Sequence, residues 1–256
     1  AQVIRIAEQA SWQALAGFVL QLPRWPAKAL QATTLLNHHW RSSSHVLRAE
    51  GLGHVQSVHL QRGTQQETLA CDRLACGFGL VPNTHLGQML GCALGDRNGL
   101  QVDTLMQTSV LGVYAAGECT GFGGSERALV QGAMAGHAAA GNAEAAQTLQ
   151  NTLVRWNAFA DALHRHFPVR AQVLAALPLA DTLVCRCEDV RHADLAPRAG
   201  WIDAKLHTRC GMGPCQGRVC GAATQFLFGW TPAPARHLLA PARIATLASG
   251  SNDEST

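Results

Sequence analysis

Cys185 and Cys187 form a C-x-C, Cys215 and Cys220 form a C-x4-C, and 27 residues separate the two clips. Thiolates are soft anionic ligands. Four of them brought together by two short clips make the full donor set of a 2Fe-2S cluster or of a tetrahedral zinc ion. The neighbouring residues favour iron. A four-thiolate 2Fe-2S centre is anionic in both oxidation states, so its surroundings should offer cations and backbone N–H donors. Arg186, Lys205, Arg209 and Arg218 stand close in sequence. The run Gly211-Met212-Gly213-Pro214 enters Cys215 with two glycines that can take positive φ and turn amides toward sulfur. Cys210 complicates the count, because Cys210-x4-Cys215 is a second C-x4-C. A zinc ribbon and a set of buried free thiols are the plainer alternatives.

A second constellation is Val113-Tyr114-Ala115-Ala116-Gly117-Glu118. A short apolar strand ending in Gly-acid puts a carboxylate at the carboxyl edge of a sheet, where α/β folds bind ligands. Gly117 removes a Cβ that would block a cofactor, and Glu118 can accept a hydrogen bond from a sugar-like hydroxyl. Beyond the turn, Ala128, Gly132, Gly136 and Ala140 recur every four residues on one face of an expected helix, a smooth stripe that permits close approach. The start of that helix, at Gly123, Gly124 and Ser125, offers free amides and a positive dipole end. Close packing for its own sake is the plainer reading of the stripe.

The elements around these residues follow from periodicity and punctuation. Residues 3–6 alternate apolar and charged and read as a short strand ending near Glu8, an acid that binds ribose in dinucleotide folds only downstream of a Gly-rich turn. No G-x-G-x-x-G occurs in the chain. Residues 11–36 have helical spacing broken by Pro23 and Pro26. Four β-like runs follow at 44–49, 55–60, 67–71 and 74–78, with Gly51, Gly53 and Gly63 as turns. Cys76 to Cys92 opens with two glycines and a Pro-Asn turn before a short helix. Residues 141–179 read as helix, with Leu153, Trp156, Phe159, Ala160 and Leu163 on one stripe and His164 and His166 solvated beside it. Short helices at 189–199 and 201–208 are expected to span the gap between the cysteine clips.

With 47% hydrophobic content in 256 residues, the chain can bury a real core. Twenty basic and seventeen acidic residues, net +3, form no block of like charge, which argues against nucleic-acid partners. Nine cysteines, an odd number without a disulfide-framework pattern, suit a reducing compartment and metal ligation. No run approaches a membrane span, and the first residues show no charged region followed by a long apolar stretch and a cleavage site. The expected location is the cytoplasm, with a peripheral place at the inner membrane left open. Residue 1 is alanine, which suggests a start inside a longer parent.

The segments VCRCEDV and RCGMGPCQGRVC resemble the 2Fe-2S domain of the bacterioferritin-associated ferredoxin type, in the version fused to flavin-dependent dehydrogenases. That resemblance assigns Cys185, Cys187, Cys215 and Cys220 as ligands and leaves Cys210 unligated, so that losing Cys215 or Cys220 should abolish the cluster and losing Cys210 should not. Together with CGFGLVPNTHL and TSVLGVYAAGECTGFGGSERALVQGAMAG, the order of segments is similar to the C-terminal part of one FAD-dependent family, that of the A-type opine oxidase subunits and the B-type hydrogen cyanide synthase subunits. The resemblance places the ribityl chain of FAD at Gly117 and Glu118 and the flavin ring near Gly123, Gly124 and Ser125. Members of that family begin with a pyrophosphate-binding G-x-G-x-x-G and carry a second such turn. Neither is present, so the chain is expected to be N-terminally truncated and to hold an FAD half-site only.

The implied architecture is α/β, an incomplete Rossmann-type domain of the disulfide-reductase-like kind followed by a small helical 2Fe-2S domain. Its expected divisions are 1–72, remnant of the nicotinamide-type domain; 73–145, C-terminal half of the FAD domain; 146–180, helical linker; 181–231, cluster domain; and 232–256, a proline-bearing tail. The implied function is that of an oxidoreductase subunit, which relays electrons from oxidation of an amine, opine or amino acid. Its partners would be a substrate-oxidising flavoprotein subunit together with a small ferredoxin-like one. No catalytic acid, base or nucleophile stands out. The alternatives are a stand-alone 2Fe-2S module with a non-functional flavin half-site and a zinc-stabilised scaffold.

Overall fold

The structure is a computed structural model that describes residues 2–35, 37–95, 98–231 and 243–245. The tail prolines Pro232, Pro234 and Pro241 lie outside the described residues. The chain divides into two units, one of Ala1–Pro82, Thr104–Met106 and Tyr114–Leu177, the other of Asn83–Asp103, Gln107–Val113 and Pro178–Thr256.

In the first unit, β1 (Ile6–Ala7) pairs in parallel with β2 (Trp40–Arg41). The expected helical stretch between them is broken where its prolines demand. α1 (Trp12–Val19) is capped by Ser11, whose hydroxyl accepts from Ala14 N at 3.2 Å. A 3-10 turn at Leu22–Arg24 carries Pro23, and α2 (Pro26–Leu35) begins at a proline, where a missing N–H costs nothing. β3 (Ser44–Glu50), β4 (Ser57–Arg62) and β5 (Gln65–Ala70) form an antiparallel meander, its last turn made at Gly63 with φ 58°. The run at 74–78 forms no strand. It lies exposed and unpaired, because a short apolar run without a neighbouring strand leaves its backbone groups to water.

α4 (Ser125–Ala139), α5 (Ala143–Thr148) and α6 (Gln150–His166) complete this unit with the short α7 (Ala171–Ala175). The α6 stripe is buried as its spacing requires. Phe159 and Ala162 pack with Trp25, and Phe18, Trp156 and Leu163 close over them. His166 is not solvated as the sequence suggested. The Gln21 side-chain amide donates to its Nε2 at 2.7 Å, and a Cβ on Gly17 would lie 2.7 Å from its ring, so the imidazole is seated on α1. His164 Nε2 lies 3.2 Å from the Phe122 carbonyl.

The second unit opens with α3 (His85–Met89), where Gly87 leaves room for Leu100, whose Cδ2 would be 2.4 Å from an added Cβ. Its larger part is a hairpin, β6 (Leu183–Cys185) with β7 (Val190–Arg191), followed by α8 (His192–Leu195), α9 (Trp201–Thr208) and α10 (Cys220–Phe228). Val184, Val190, Leu195, Trp201 and Ala204 share one buried cluster with Cys185, Cys210 and Cys220.

Candidate functional site

The two cysteine clips are built by different devices. The first is the β6–β7 hairpin: Cys185 ends β6 facing the core, and Cys187 sits exposed in a connection that closes with Asp189 at φ 52°. The second is a turn wrapped on Trp201. A Cβ on Gly211 would lie 2.6 Å from the indole and one on Gly217 3.2 Å from it, and both residues have φ near 80°. Only glycine satisfies both the close approach and the left-handed backbone at Gly211. Gly213 is needed for space: its Cβ would stand 2.4 Å from Cys187 Cβ and 3.1 Å from Glu188 Oε1. The missing side chain at Gly213 is therefore what lets the second clip close on the first.

The result is a nest of five thiols. Cys185, Cys210 and Cys220 are buried with their sulfurs all within 4.8 Å of one another, and the exposed Cys187 and the half-buried Cys215 each bear on the other's titration. Cys210, which the sequence left out of the ligand set, is thus inside the group. Its signal was its place at the end of α9, where Arg209 in the left-handed conformation (φ 62°) turns the next residue inward.

The titration of these thiols is that of anions forced together. The contact with Cys210 first, then burial and the charge of Cys210, push the Cys220 thiol far up, against a smaller opposing contact with Cys185. At Cys187 the Cys215 amide pulls the thiol down. The Cys215 side chain, burial and the charges of Cys215 and Cys185 outweigh it and leave Cys187 raised. Burial raises Cys215, yet the amides of Val219, Gly217 and Arg218 and the Cys187 thiol bring it below the ordinary range. Several thiolates in one pocket repel unless a multivalent cation lies among them, and a bound metal inverts that preference. The donor set, the amides aimed at Cys215 and the cleared space at Gly213 fit a thiolate-bound metal centre. Of the neighbouring cations, Arg209 is held at 2.8 Å by Glu188.

The other predicted site lies in the first unit. Residues 113–116 form no run of strand; Ala116 is extended (φ −145°, ψ 155°) and leads into a 3-10 turn at Gly117–Thr120. The expected strand fails because a strand exists only by pairing, and that segment is not paired over its length. Gly117 has φ 80°, which selects glycine, and its N–H donates to Gln131 Oε1 at 2.9 Å. Glu118 is exposed. Gly124 caps α4 at φ 86° with no side-chain cap, so the first amides of the helix keep their dipole end free of a capping side chain. The Ser125 hydroxyl donates to Glu126 Oε2 at 3.1 Å, and Glu126 in turn takes Lys28 at 2.8 Å, so that hydroxyl is engaged locally. Gly132, Gly136 and Ala140 of the small-residue stripe are exposed.

Two residues that hold this surface were not singled out from sequence. Gln131, buried on α4, accepts from Gly117 N and from Thr120 Oγ1 at 3.1 Å, tying the turn to the helix. Arg127 donates to the Gly121 carbonyl at 2.7 Å and to Asn157 Oδ1 at 2.8 Å, and a Cβ on Gly123 would lie 2.2 Å from its Cδ. A polar residue on the same helical face as the buried Met134 was the available signal for Gln131.

Residues 27–151 match the pyridine nucleotide-disulphide oxidoreductase family model. An A-type opine oxidase subunit of Rhizobium meliloti is 34% identical over 200 residues, covering 68% of this chain and 41% of that protein. Its counterpart from the opine oxidase of Agrobacterium tumefaciens is 29% identical, covering 67% and 38%. Hydrogen cyanide synthase subunit HcnB of Pseudomonas aeruginosa is 34% identical over 165 residues, 57% of this chain and 35% of that protein. The chain is similar to these oxidoreductase subunits, and its α/β fold is of the pyridine nucleotide-disulphide oxidoreductase kind. It spans about two fifths of the length of the curated relatives it matches.

Proposed function

We propose that the chain is the electron-relay part of a multi-subunit oxidoreductase acting on an amine, opine or amino acid, with a 2Fe-2S cluster held by Cys185, Cys187, Cys215 and Cys220. The observation that carries this reading is the meeting of the two clips across 27 intervening residues: Cys185 and Cys220 share one buried group, and Cys187 lies against Gly213, where any side chain would part the clips. The flavin side of an FAD site is assigned to Gly117, Glu118, Gly123, Gly124 and Ser125. A positive-φ glycine, an exposed carboxylate and the uncapped start of a 15-residue helix support it. Such centres would supply hydride acceptance at the flavin and single-electron transfer at the cluster. The chain's own part is to hold the sulfurs, donate amides to them and orient the sugar chain through Glu118.

The similarity to opine oxidase and hydrogen cyanide synthase subunits supports two partners, a substrate-oxidising flavoprotein and a small ferredoxin-like protein of the same complex. The divisions at 72, 145, 180 and 231 are part of the same reading. No helix among the described residues is long and apolar enough to cross a membrane, and a cytoplasmic place belongs to the proposal.

The test is a visible spectrum of the protein purified without air, before and after dithionite, with iron, sulfide, zinc and flavin analysis. Bands that bleach on reduction with two irons per chain are expected, and a flavin envelope would mark a working half-site. A colourless chain containing zinc would replace the relay by a structural scaffold.

A further inference from the structure

We infer that Cys210 is a standby ligand, placed to replace Cys220 or Cys185 at the cluster. This rests on the cluster reading above and extends it, since a strict four-ligand site would lose its iron with either cysteine. Two thiolates on one tetrahedral metal lie about 3.8 Å apart, given metal–sulfur bonds of about 2.3 Å. The Cys210 sulfur is within 4.8 Å of both Cys185 and Cys220, so a side-chain rotation brings it to ligand distance of a metal held by either partner.

Its backbone is already set for this. Arg209 and Gly211, at φ 62° and 81°, flank Cys210 in a turn pinned by Trp201, and Cys210 N donates to Thr208 Oγ1 at 3.2 Å. The thiol is fully buried, with the Cys185 and Cys220 sulfurs as its neighbours. A cysteine chosen only to fill space would not need a sulfur neighbour. In the exchange an iron–sulfur bond forms to Cys210 in place of the missing one and the Cys210 proton passes to solvent. The oxidation level of the centre does not change.

The experiment compares the whole chain with Cys220→Ser, Cys210→Ser, the double variant and Cys215→Ser, all prepared without air. Iron and sulfide per chain and the electron paramagnetic resonance of the reduced state are read. Cys210→Ser should match the parent. Cys220→Ser should keep iron within about twofold of the parent, with altered resonance, while the double variant loses about tenfold, as for a site short of a thiolate. Cys215→Ser, whose sulfur lies outside the group of Cys185, Cys210 and Cys220, should lose iron like the double variant. Iron in Cys220→Ser as low as in the double variant overturns the inference. If Cys220→Ser yields no folded protein, Cys185→Ser and its double with Cys210→Ser decide the question by the same criterion. A parent chain without iron would instead end the cluster reading, and the standby role with it.

Discussion

The cysteine nest and the glycine-acid surface are assembled by opposite means. The nest runs from β6 to the start of α10, and Cys185, Cys210 and Cys220 lie in one buried cluster with their sulfurs within 4.8 Å of one another. The surface at Gly117 to Ser125 is held from beneath by Gln131, Arg127 and α6, while Glu118, Gly124 and Ser125 face solvent. A metal site is complete when four donor atoms meet, and two short clips can supply them. A dinucleotide site is long, and it needs several strand ends and helix starts in one row. The first therefore folds as a local unit, and the second is only as extensive as the elements that contribute to it.

The largest perturbation should come at the post around which the second clip is wound. Trp201→Ala removes the ring under Gly211 and Gly217 and should cost about 3–5 kcal/mol. Iron content should fall with it, and a thermal melt followed in parallel with iron release reads both. Retention of iron with a lowered melting point would show that the clips close without this support.

Gln131→Leu comes next. It leaves the Gly117 N–H and the Thr120 hydroxyl without their acceptor and should cost about 1–3 kcal/mol. Flavin binding, measured by fluorescence quenching, should weaken while iron per chain stays unchanged. A fall in iron would break the distinction between the two regions.

Glu118→Gln should leave stability within about 0.5 kcal/mol, because the side chain is exposed. It should still reduce flavin retention, and equal retention would remove Glu118 from the proposed site.

The smallest effect is electrostatic. The contact with Lys28 holds the Glu126 carboxyl below its ordinary 4.5. Because the folded value is the lower one, the pair stabilises above pH 4.5 and that contribution fades as pH falls through the lowered value. Glu126→Gln should therefore melt slightly lower than the parent at neutral pH, by about 0.5 kcal/mol or less for a partly exposed pair. The two proteins should converge in acid.

Much of the helical framework was legible because its signals are local. Pro23 and Pro26 broke the first helical stretch where they stand, and the Phe159 stripe of α6 is buried as its spacing implies. The failures lie where a neighbour decides. Residues 113–116 and 74–78 have strand-like composition, but pairing makes a strand and neither segment has it over its length. His166 reads as a surface histidine until Gln21 and Gly17, some 145 residues away, are set against it.

At the site itself, spacing alone determined that Cys185, Cys187, Cys215 and Cys220 stand in two clips, and that Gly117, Gly123 and Gly124 mark turns beside Glu118 and Ser125. Clip spacing is a covalent property, and Gly117 and Gly124 answer to their own positive φ. Which sulfurs meet was decided only by tertiary structure. Cys210 enters the nest because α9 ends in a left-handed residue and Trp201 anchors the loop that follows, and Gln131 grips Gly117 because α4 lies against the turn. These contacts join residues whose mutual distance no local rule sets, since it depends on how the helices between them pack.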